Sequence, residues 1–171
     1  MGGESHMTLE DEKQIDPGAF WRAIGARATG VTIVTAAGED GPAGFLALSA
    51  THLTASPPIV TVAIDMRTSA LEAIRQSGAF AINYLSTDSR DVFERFTAKE
   101  GPKGAARFEG IETEALSTGA PIFESVVGAL DCRLEEMIER FGTVIALGRV
   151  VNFISHADRK PMIHFQGKLL P

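Results

Sequence analysis

The sequence predicts a mainly β fold, an antiparallel barrel or sandwich with short helices attached. Apolar, β-branched segments bounded by glycine or proline recur along the chain, as in VTIVTAA at 31–37 and IVTVAID at 59–65. Helical patterns interrupt these segments only three times, without the regular strand–helix alternation of a doubly wound sheet. Two late segments, 126–138 and 143–155, are long enough to bend around a barrel.

Length, composition and charge limit the possible functions. The 171 residues, of which 44% are hydrophobic, suit one domain, predicted over 16–171. Residues 1–15 are predicted to be a flexible arm, whose opening MGGESHM resembles a remnant of an expression tag. The net charge of −6 gives no electrostatic reason to bind nucleic acid. The sequence has no membrane-length apolar stretch, no signal-peptide pattern and one cysteine, Cys132, so we expect a cytoplasmic protein that binds no membrane.

Start and stop signals place the elements in order along the chain. Asp16 and Pro17 form the N-cap and first-turn proline of a predicted helix over 17–28, in which apolar residues recur at helical spacing. The amphipathic segment SRDVFERFTAK predicts another helix at 89–99. Besides those given above, strands are predicted at 43–50, 80–86 and 162–166.

A helix at 70–77 carries the clearest local signals. Ser69 and Glu72 match the S-x-x-E capping box, and Gly78 follows the helix as a typical C-cap. Helix N-termini attract anions, so Arg67, Thr68 and Ser69 form a candidate phosphate site. The alternative is that the two hydroxyls only cap the helix and that Arg67 is solvated.

The common catalytic signatures are absent from the sequence. There is no glycine-rich dinucleotide motif, no P-loop, no nucleophile elbow and no histidine pair at metal-ligand spacing. The scattered histidines, His52, His156 and His164, select no catalytic constellation, so we predict neither a catalytic side chain nor a metal site.

The most unusual stretch is GFLALSATHLTASPP, residues 44–58. It places short hydroxyl side chains beside a proline pair, at a density that an ordinary strand does not need. Small side chains allow the backbone to approach a ligand closely, although they also suit the polar face of a strand.

The chain resembles the flavin reductase-like proteins of the FMN-binding split-barrel class, over about residues 18–169. In order and spacing, eight segments carry the resemblance: FWRAIGARATGVTIVTA, GFLALSATHLTASPPIVTVAID, RTSALEAIRQSGAFAINYLS, FERFTAK, ARFEGI, TGAPIFESVVGALDCRLEEMIE, LGRVVNF and PMIHFQGKL. The class includes the reductase components of two-component aromatic monooxygenases. The resemblance implies an antiparallel, Greek-key split barrel with peripheral helices.

The resemblance also implies where a flavin would bind. Residues 44–58 would follow the isoalloxazine ring and ribityl chain, and the start of the 70–77 helix would surround the ribityl and phosphate groups. The implied cofactor-binding residues are Leu46, Ala47, Leu48, Ser49, Ala50, Thr51, Asp65, Arg67, Thr68, Ser69, Lys99 and Gly167.

By the same resemblance the protein is an NAD(P)H:flavin oxidoreductase. NADH or NADPH would donate a hydride to FMN, or to FAD, by positioning alone, and a partner monooxygenase would use the reduced flavin. A homodimer is implied, with the flavin near its interface. The alternatives are an FMN-binding electron carrier of the same fold, or a ligand-binding barrel without flavin.

Two departures from the family pattern bear on these expectations. Leu46 and Leu48 stand where the family usually has Thr and Asn, which makes the predicted flavin pocket more apolar. Many such reductases carry a Gly-Asp-His segment before the last long strand, which helps to bind the nicotinamide. The nearest match here, residues 141–144, has no histidine.

Overall fold

The structure is a computed structural model that describes residues 14–171, so the predicted arm at 1–15 lies almost entirely outside the described residues. Its three α-helices are α1 (Pro17–Gly25), α2 (Ala70–Ser77) and α3 (Arg90–Thr97), and a 3-10 turn covers Gly104–Phe108. The strands are β1 (Thr29–Gly30), β2 (Thr32–Gly38), β3 (Gly41–Leu46), β4 (Thr51–Ala55), β5 (Pro58–Asp65), β6 (Ala79–Leu85), β7 (Thr113–Ala115), β8 (Pro121–Phe123), β9 (Val126–Arg140), β10 (Thr143–Ser155), β11 (Ile163–Phe165) and β12 (Lys168–Leu169). None of the helices in this part of the chain is long and apolar enough to cross a membrane.

Seven strands form one antiparallel sheet in the order β3-β2-β6-β9-β10-β5-β4. β3 and β4 are its two edges, yet only residues 47–50 connect them along the chain. In a flat sheet with strands about 4.8 Å apart, these edges would be about 29 Å apart. The connection reaches at most about 18 Å. The sheet is therefore curled until its edges meet, which confirms the predicted mainly β barrel with peripheral helices.

Both faces of the curled sheet are buried, because neighbouring residues of β2 and β6 enter two different cores. Val34 and Phe80 join a core that α2 closes with Ile74, whereas Ile33 joins a second core. The second core contains Phe96 of α3. Apolar burial on both faces explains why β2 and β6 read as nearly continuous apolar segments.

α1 begins as predicted but ends three residues early. The Asp16 side chain accepts a hydrogen bond from the Ala19 N–H at 2.9 Å, which caps the helix start. At the other end the Gly25 carbonyl accepts from the Gln166 N–H, in the turn between β11 and β12. After Gly25 the Ala26 and Arg27 N–H groups bond to carbonyls three residues earlier, and β1 begins at Thr29, so the predicted extension to residue 28 is wrong.

α2 has the predicted bounds, but its predicted capping box is wrong. Ser69 has helical backbone angles, φ −59° and ψ −29°, and its side chain makes no capping hydrogen bond. The Glu72 carboxylate instead accepts from the Gln76 side chain. Gly78 closes the helix in the left-handed conformation, with φ 62°, as the sequence predicted.

The predicted strand at 43–50 extends too far, and β4 at Thr51–Ala55 was not predicted. β3 ends at Leu46, residues 47–50 leave the ladder, and β4 then pairs with β5 at the other edge of the sheet. The alternating pattern predicted one strand, because a period of two does not show where a chain crosses from one sheet edge to the other. The short hairpin β7–β8 was also missed.

Buried polar side chains fasten this hairpin to the barrel. Asn83 of β6 donates to the Ile33 carbonyl and to the Thr35 hydroxyl, and it accepts from the Phe123 N–H of β8. Nearby, the buried Asp131 accepts from the backbone N–H and the hydroxyl of Thr118. No buried side-chain nitrogen or oxygen in residues 14–171 lacks a partner.

Candidate functional site

The main groove of the molecule, about 630 Å³ in volume, lies where the edges of the barrel meet. Its walls come from α1, from β3 and the residues after it, and from the facing ends of β5 and β10. The lining side chains are mostly apolar or short and hydroxylated: Phe20, Trp21, Ile24, Arg27, Phe45, Leu46, Ala47, Leu48, Ser49, Ala63, Asp65, Thr68 and Thr143.

Residues 47–50, here called the strap, form the wall between the two sheet edges. The Ala47 N–H donates to the Thr32 carbonyl at one end of the strap. The Ser49 hydroxyl donates to the Ala63 carbonyl at 3.0 Å and accepts from the Ala63 N–H at 3.2 Å. A small hydroxyl thus replaces a strand pairing and holds the strap across the gap.

The strap leaves backbone donors unused. No hydrogen bond formed within residues 14–171 uses the N–H of Leu48, Ser49 or Ala50. Backbone donors without a protein partner are uncommon in folded proteins unless water or a ligand meets them. Leu48 and Ser49 both line the main groove, so a polar ligand edge lying along the strap could accept from these groups.

Smaller grooves adjoin the main groove on its α1 side. One, of about 400 Å³, contains the whole strap together with Arg27 and the half-buried Tyr84. Burial raises the pKa of the Tyr84 hydroxyl, so this group stays protonated at neutral pH. Two others reach the β11–β12 turn, where Gly167 forms part of the wall.

The opposite end of the main groove carries an ion pair. The Arg67 guanidinium binds the Asp65 carboxylate through both ends of its fork, at 3.0 and 2.7 Å. These hydrogen bonds lower the pKa of Asp65 to about 2, so the carboxylate is charged at neutral pH. The Arg67 side chain remains 90% exposed and borders none of the grooves described above.

The structure brings most of the predicted site residues together. Leu46, Ala47, Leu48, Ser49, Asp65 and Thr68 line the main groove, Ala50 and Thr51 line the 400 Å³ groove, and Gly167 lies in the adjoining ones. Ser69 instead faces a small cavity beside α2. Lys99 lies exposed after α3 and, like Arg67, borders none of these grooves.

Sequence reasoning missed several groove residues, among them four with large or polar side chains. Trp21 and Arg27, in and just after α1, and Thr143, at the start of β10, line the main groove, and Tyr84 lines the neighbouring one. The only sequence signal was the apolar face of α1, which includes a tryptophan. In the structure α1 buries none of its residues, and Trp21 is 61% exposed.

The groove has the chemistry that a flavin needs. An isoalloxazine ring is flat and apolar on its faces and polar along one edge, and such ligands bind between apolar walls with a few fixed polar groups. Trp21, Ile24 and Leu48 provide apolar walls, and the unused N–H groups of the strap provide donors. Within residues 14–171, no three His, Cys, Asp or Glu side chains come together as metal ligands.

Comparison with known proteins identifies the family. The model of the flavin reductase like domain matches residues 24–171. The chain belongs to this family. The reductase subunit of a flavin-dependent monooxygenase from Mycobacterium tuberculosis (strain CDC 1551 / Oshkosh) is 30% identical over 156 residues, which are 90% of this chain and 81% of that protein. Other relatives of this chain are named flavin reductase and FMN reductase (NADH), which are oxidoreductases, so the predicted enzyme class is confirmed.

A second relative and a solved structure extend the comparison. A longer protein from Rhizobium meliloti (strain 1021), which also carries a flavin reductase name, is 37% identical over 139 residues, but this chain spans only 43% of it. The NADH:FAD oxidoreductase of Streptomyces globisporus C-1027 superimposes with a TM-score of 0.82 at 26% identity, over 93% of this chain and 96% of that one. The flavin reductase-like fold predicted from the sequence is confirmed.

Proposed function

We propose that the protein is an NAD(P)H-dependent flavin reductase that binds FMN in the main groove. The observation that carries the proposal is the strap, which presents unused backbone N–H groups between apolar walls. The relatives named as FMN reductase (NADH) support the same assignment.

The proposed binding mode assigns the ring to the strap and the phosphate to Thr68. Leu46, Ala47, Leu48, Ser49, Ala50 and Thr51 follow the ring and ribityl chain, while the Thr68 hydroxyl and the nearby start of α2 receive the phosphate. Arg67 is tied to Asp65, so we give it a positioning role at this end. Ser69, Lys99 and Gly167 remain proposed contacts that the groove lining alone does not require.

A bound flavin would supply the hydride acceptor for the nicotinamide ring, and the oxidised nucleotide, NAD(P)⁺, would then leave. The protein supplies no acid or base for this step. Trp21, Ile24 and Leu48 would exclude water from the rings, and the strap would offer N–H groups to the ring edge where negative charge develops.

We also propose that the reduced flavin serves a partner monooxygenase and that the protein is a cytoplasmic homodimer. The mycobacterial relative named as a monooxygenase reductase subunit supports the partner. The unburied apolar face of α1, with Phe20 50% and Trp21 61% exposed, supports an interface between two copies beside the groove. Light scattering at micromolar concentration tests the dimer by its mass.

An electron carrier of the same fold is the second candidate. One observation favours it: Phe141 and Gly142 occupy the turn before β10, where many family members place a nicotinamide-binding histidine. A carrier would hold a flavin that pyridine nucleotides do not reduce.

The test is an anaerobic visible spectrum of the protein with FMN, recorded before and after NADH and then NADPH. We expect the flavin band at about 450 nm to bleach faster than that of free FMN under the same conditions. The nucleotide that bleaches it faster is the preferred hydride donor. A bound flavin that neither nucleotide bleaches would contradict the reductase and support the electron carrier. A protein that retains no FMN would contradict both candidates.

A further inference from the structure

Arg27 occupies the point where the grooves meet. It follows α1 directly and borders the main groove, the 400 Å³ groove and one of the grooves at the β11–β12 turn. Leu48 is the other residue that borders all three. Arg27 therefore lies close to the strap.

The positive charge of Arg27 has no acidic partner in the part of the chain that the structure describes. Residues 14–171 form four ion pairs, and none of them includes Arg27. Its side chain also makes no hydrogen bond to another described residue, unlike Arg95, Arg107 and Arg159, whose guanidinium groups donate to backbone carbonyls. An unpaired guanidinium among Trp21, Ile24 and Leu48 is placed for an anionic ligand group.

We propose that Arg27 donates to the polar N1/C2 edge of the flavin ring and stabilises the negative charge of the reduced flavin. This inference rests on the proposed function. Arg27 shares all three of its grooves with the apolar Leu48, which suits a ring, but only the main groove with Thr68, where we place the phosphate. The ring is uncharged when oxidised and carries negative charge at this edge when reduced.

The contact between Arg27 and the ring edge therefore strengthens when the flavin is reduced. An interaction that is stronger after reduction than before it favours reduction. Arg27 is exposed in the structure. A ring that covers Trp21, Ile24 and Leu48 would exclude water between itself and the guanidinium, which would increase their interaction. Arg27 is thus a positioning and charge-stabilising residue that sets how strongly the groove prefers reduced to oxidised flavin.

The test compares the affinities of both redox forms of FMN, and of reduced riboflavin, for the native protein, Arg27→Gln, Arg27→Lys and Arg133→Gln. We expect Arg27→Gln to weaken binding of reduced FMN and of reduced riboflavin about 10- to 100-fold, and binding of oxidised FMN less than about threefold. The ratio of the two affinities then changes about 3- to 100-fold, so the two-electron potential of bound FMN falls by about 15 to 60 mV. Arg27→Lys keeps the charge and should recover part of the effect.

Arg133 is the matched control, because it lies exposed on β9, makes no ion pair with a described residue and borders none of the four grooves. Its replacement should change neither affinity nor potential. Equal weakening of oxidised and reduced FMN by Arg27→Gln, with riboflavin unaffected, would place Arg27 at the phosphate and overturn the inference. Unchanged affinities would overturn it as well. Failure of the native protein to bind either form of FMN would instead contradict the proposed function itself.

Discussion

Asn83 with its hydrogen-bond partners, here called the Asn83 cluster, and the strap are both polar. Their hydrogen-bonding groups are paired within the protein in the cluster and partly unpaired in the strap. Asn83 is fully buried and satisfies the Ile33 carbonyl, the Thr35 hydroxyl and the Phe123 N–H. The strap is partly exposed and leaves consecutive N–H groups without a protein partner. Satisfied buried groups stabilise a fold, whereas open donors beside apolar walls are available for a ligand.

The same contrast separates the apolar residues. Phe80 and Ile74 are completely buried in the barrel core, while Trp21 and Leu48 face the groove and are 61% and 37% exposed. Leaving large apolar side chains in water gains nothing for the isolated fold. We therefore expect substitutions in the first region to change stability, and substitutions in the second to change flavin binding.

The largest expected effect is on stability, from Asn83→Ala. The substitution leaves the buried Phe123 N–H without its acceptor and removes the donor to the Ile33 carbonyl and the Thr35 hydroxyl, so we expect a loss of about 3 kcal/mol in the free energy of unfolding. Urea denaturation measures this loss. The control is Asn152→Ala, which removes two exposed hydrogen bonds, one to the Ser117 hydroxyl and one from the Phe153 N–H, and should cost less than about 0.5 kcal/mol. Similar losses in the two variants would contradict the role given to the cluster.

Gly148→Ala should destabilise the protein by about 2 kcal/mol. A Cβ atom at Gly148 would stand 2.8 Å from Cε1 of the fully buried Phe80 and 3.1 Å from Cβ of Cys132, where neither side chain can retreat. Thermal unfolding measures the change. Gly30→Ala is the control, since its Cβ would meet nothing within 4 Å. If Gly148→Ala melts at the native temperature, the packing between β10 and Phe80 is looser than described.

Leu48→Glu should weaken FMN binding at least about tenfold, or about 1.4 kcal/mol, with little loss of stability. The new carboxylate stands in the main groove, replaces an apolar wall and repels the phosphate of FMN. Quenching of flavin fluorescence gives the dissociation constant. Leu53→Glu makes the same change at a 56% exposed position of β4 that borders no groove, and it should bind FMN normally. Equal FMN affinities in these two variants would show that the flavin binds outside the main groove.

The smallest effect concerns pH and the Asp65–Arg67 pair. Asp65 has a pKa of about 2 in the folded protein against 3.8 as the ordinary value, mainly because the Arg67 side chain donates to it. A depressed carboxyl pKa stabilises the fold above about pH 4, and this contribution is lost as pH falls toward 2. Since both side chains are exposed, the effect on stability is small.

Arg67→Gln should raise the pKa of Asp65 toward 3.8, as measured by carbon NMR of the carboxyl group. Arg149→Gln breaks the separate pair with Glu135 and should leave Asp65 unchanged. An Asp65 titration that does not move in Arg67→Gln would show that another group holds its pKa down.

Local signals predicted the fold well and the site in part. The bounds of α2 follow from Gly78 and from good helix formers, which are local features. The break at Leu46 was not predictable, because it depends on the curling of the whole sheet. Trp21 and Arg27 reach the groove from α1 and the residues just after it, and Thr143 reaches it from β10, all far from the strap in the chain, so no spacing connects them with it. The sequence predicted that Arg67 contacts a bound anion. No sequence pattern indicated that its guanidinium pairs with Asp65, two residues earlier.

The measurement that tests the central claim most directly is a two-dimensional ¹⁵N–¹H NMR spectrum of the protein with and without FMN. The account predicts that FMN slows the hydrogen exchange of the Leu48, Ser49 and Ala50 amides, which have no partner among the described residues, and shifts their resonances most. Strap amides that FMN leaves unchanged, while amides elsewhere shift, would contradict the claim that the strap forms the flavin site.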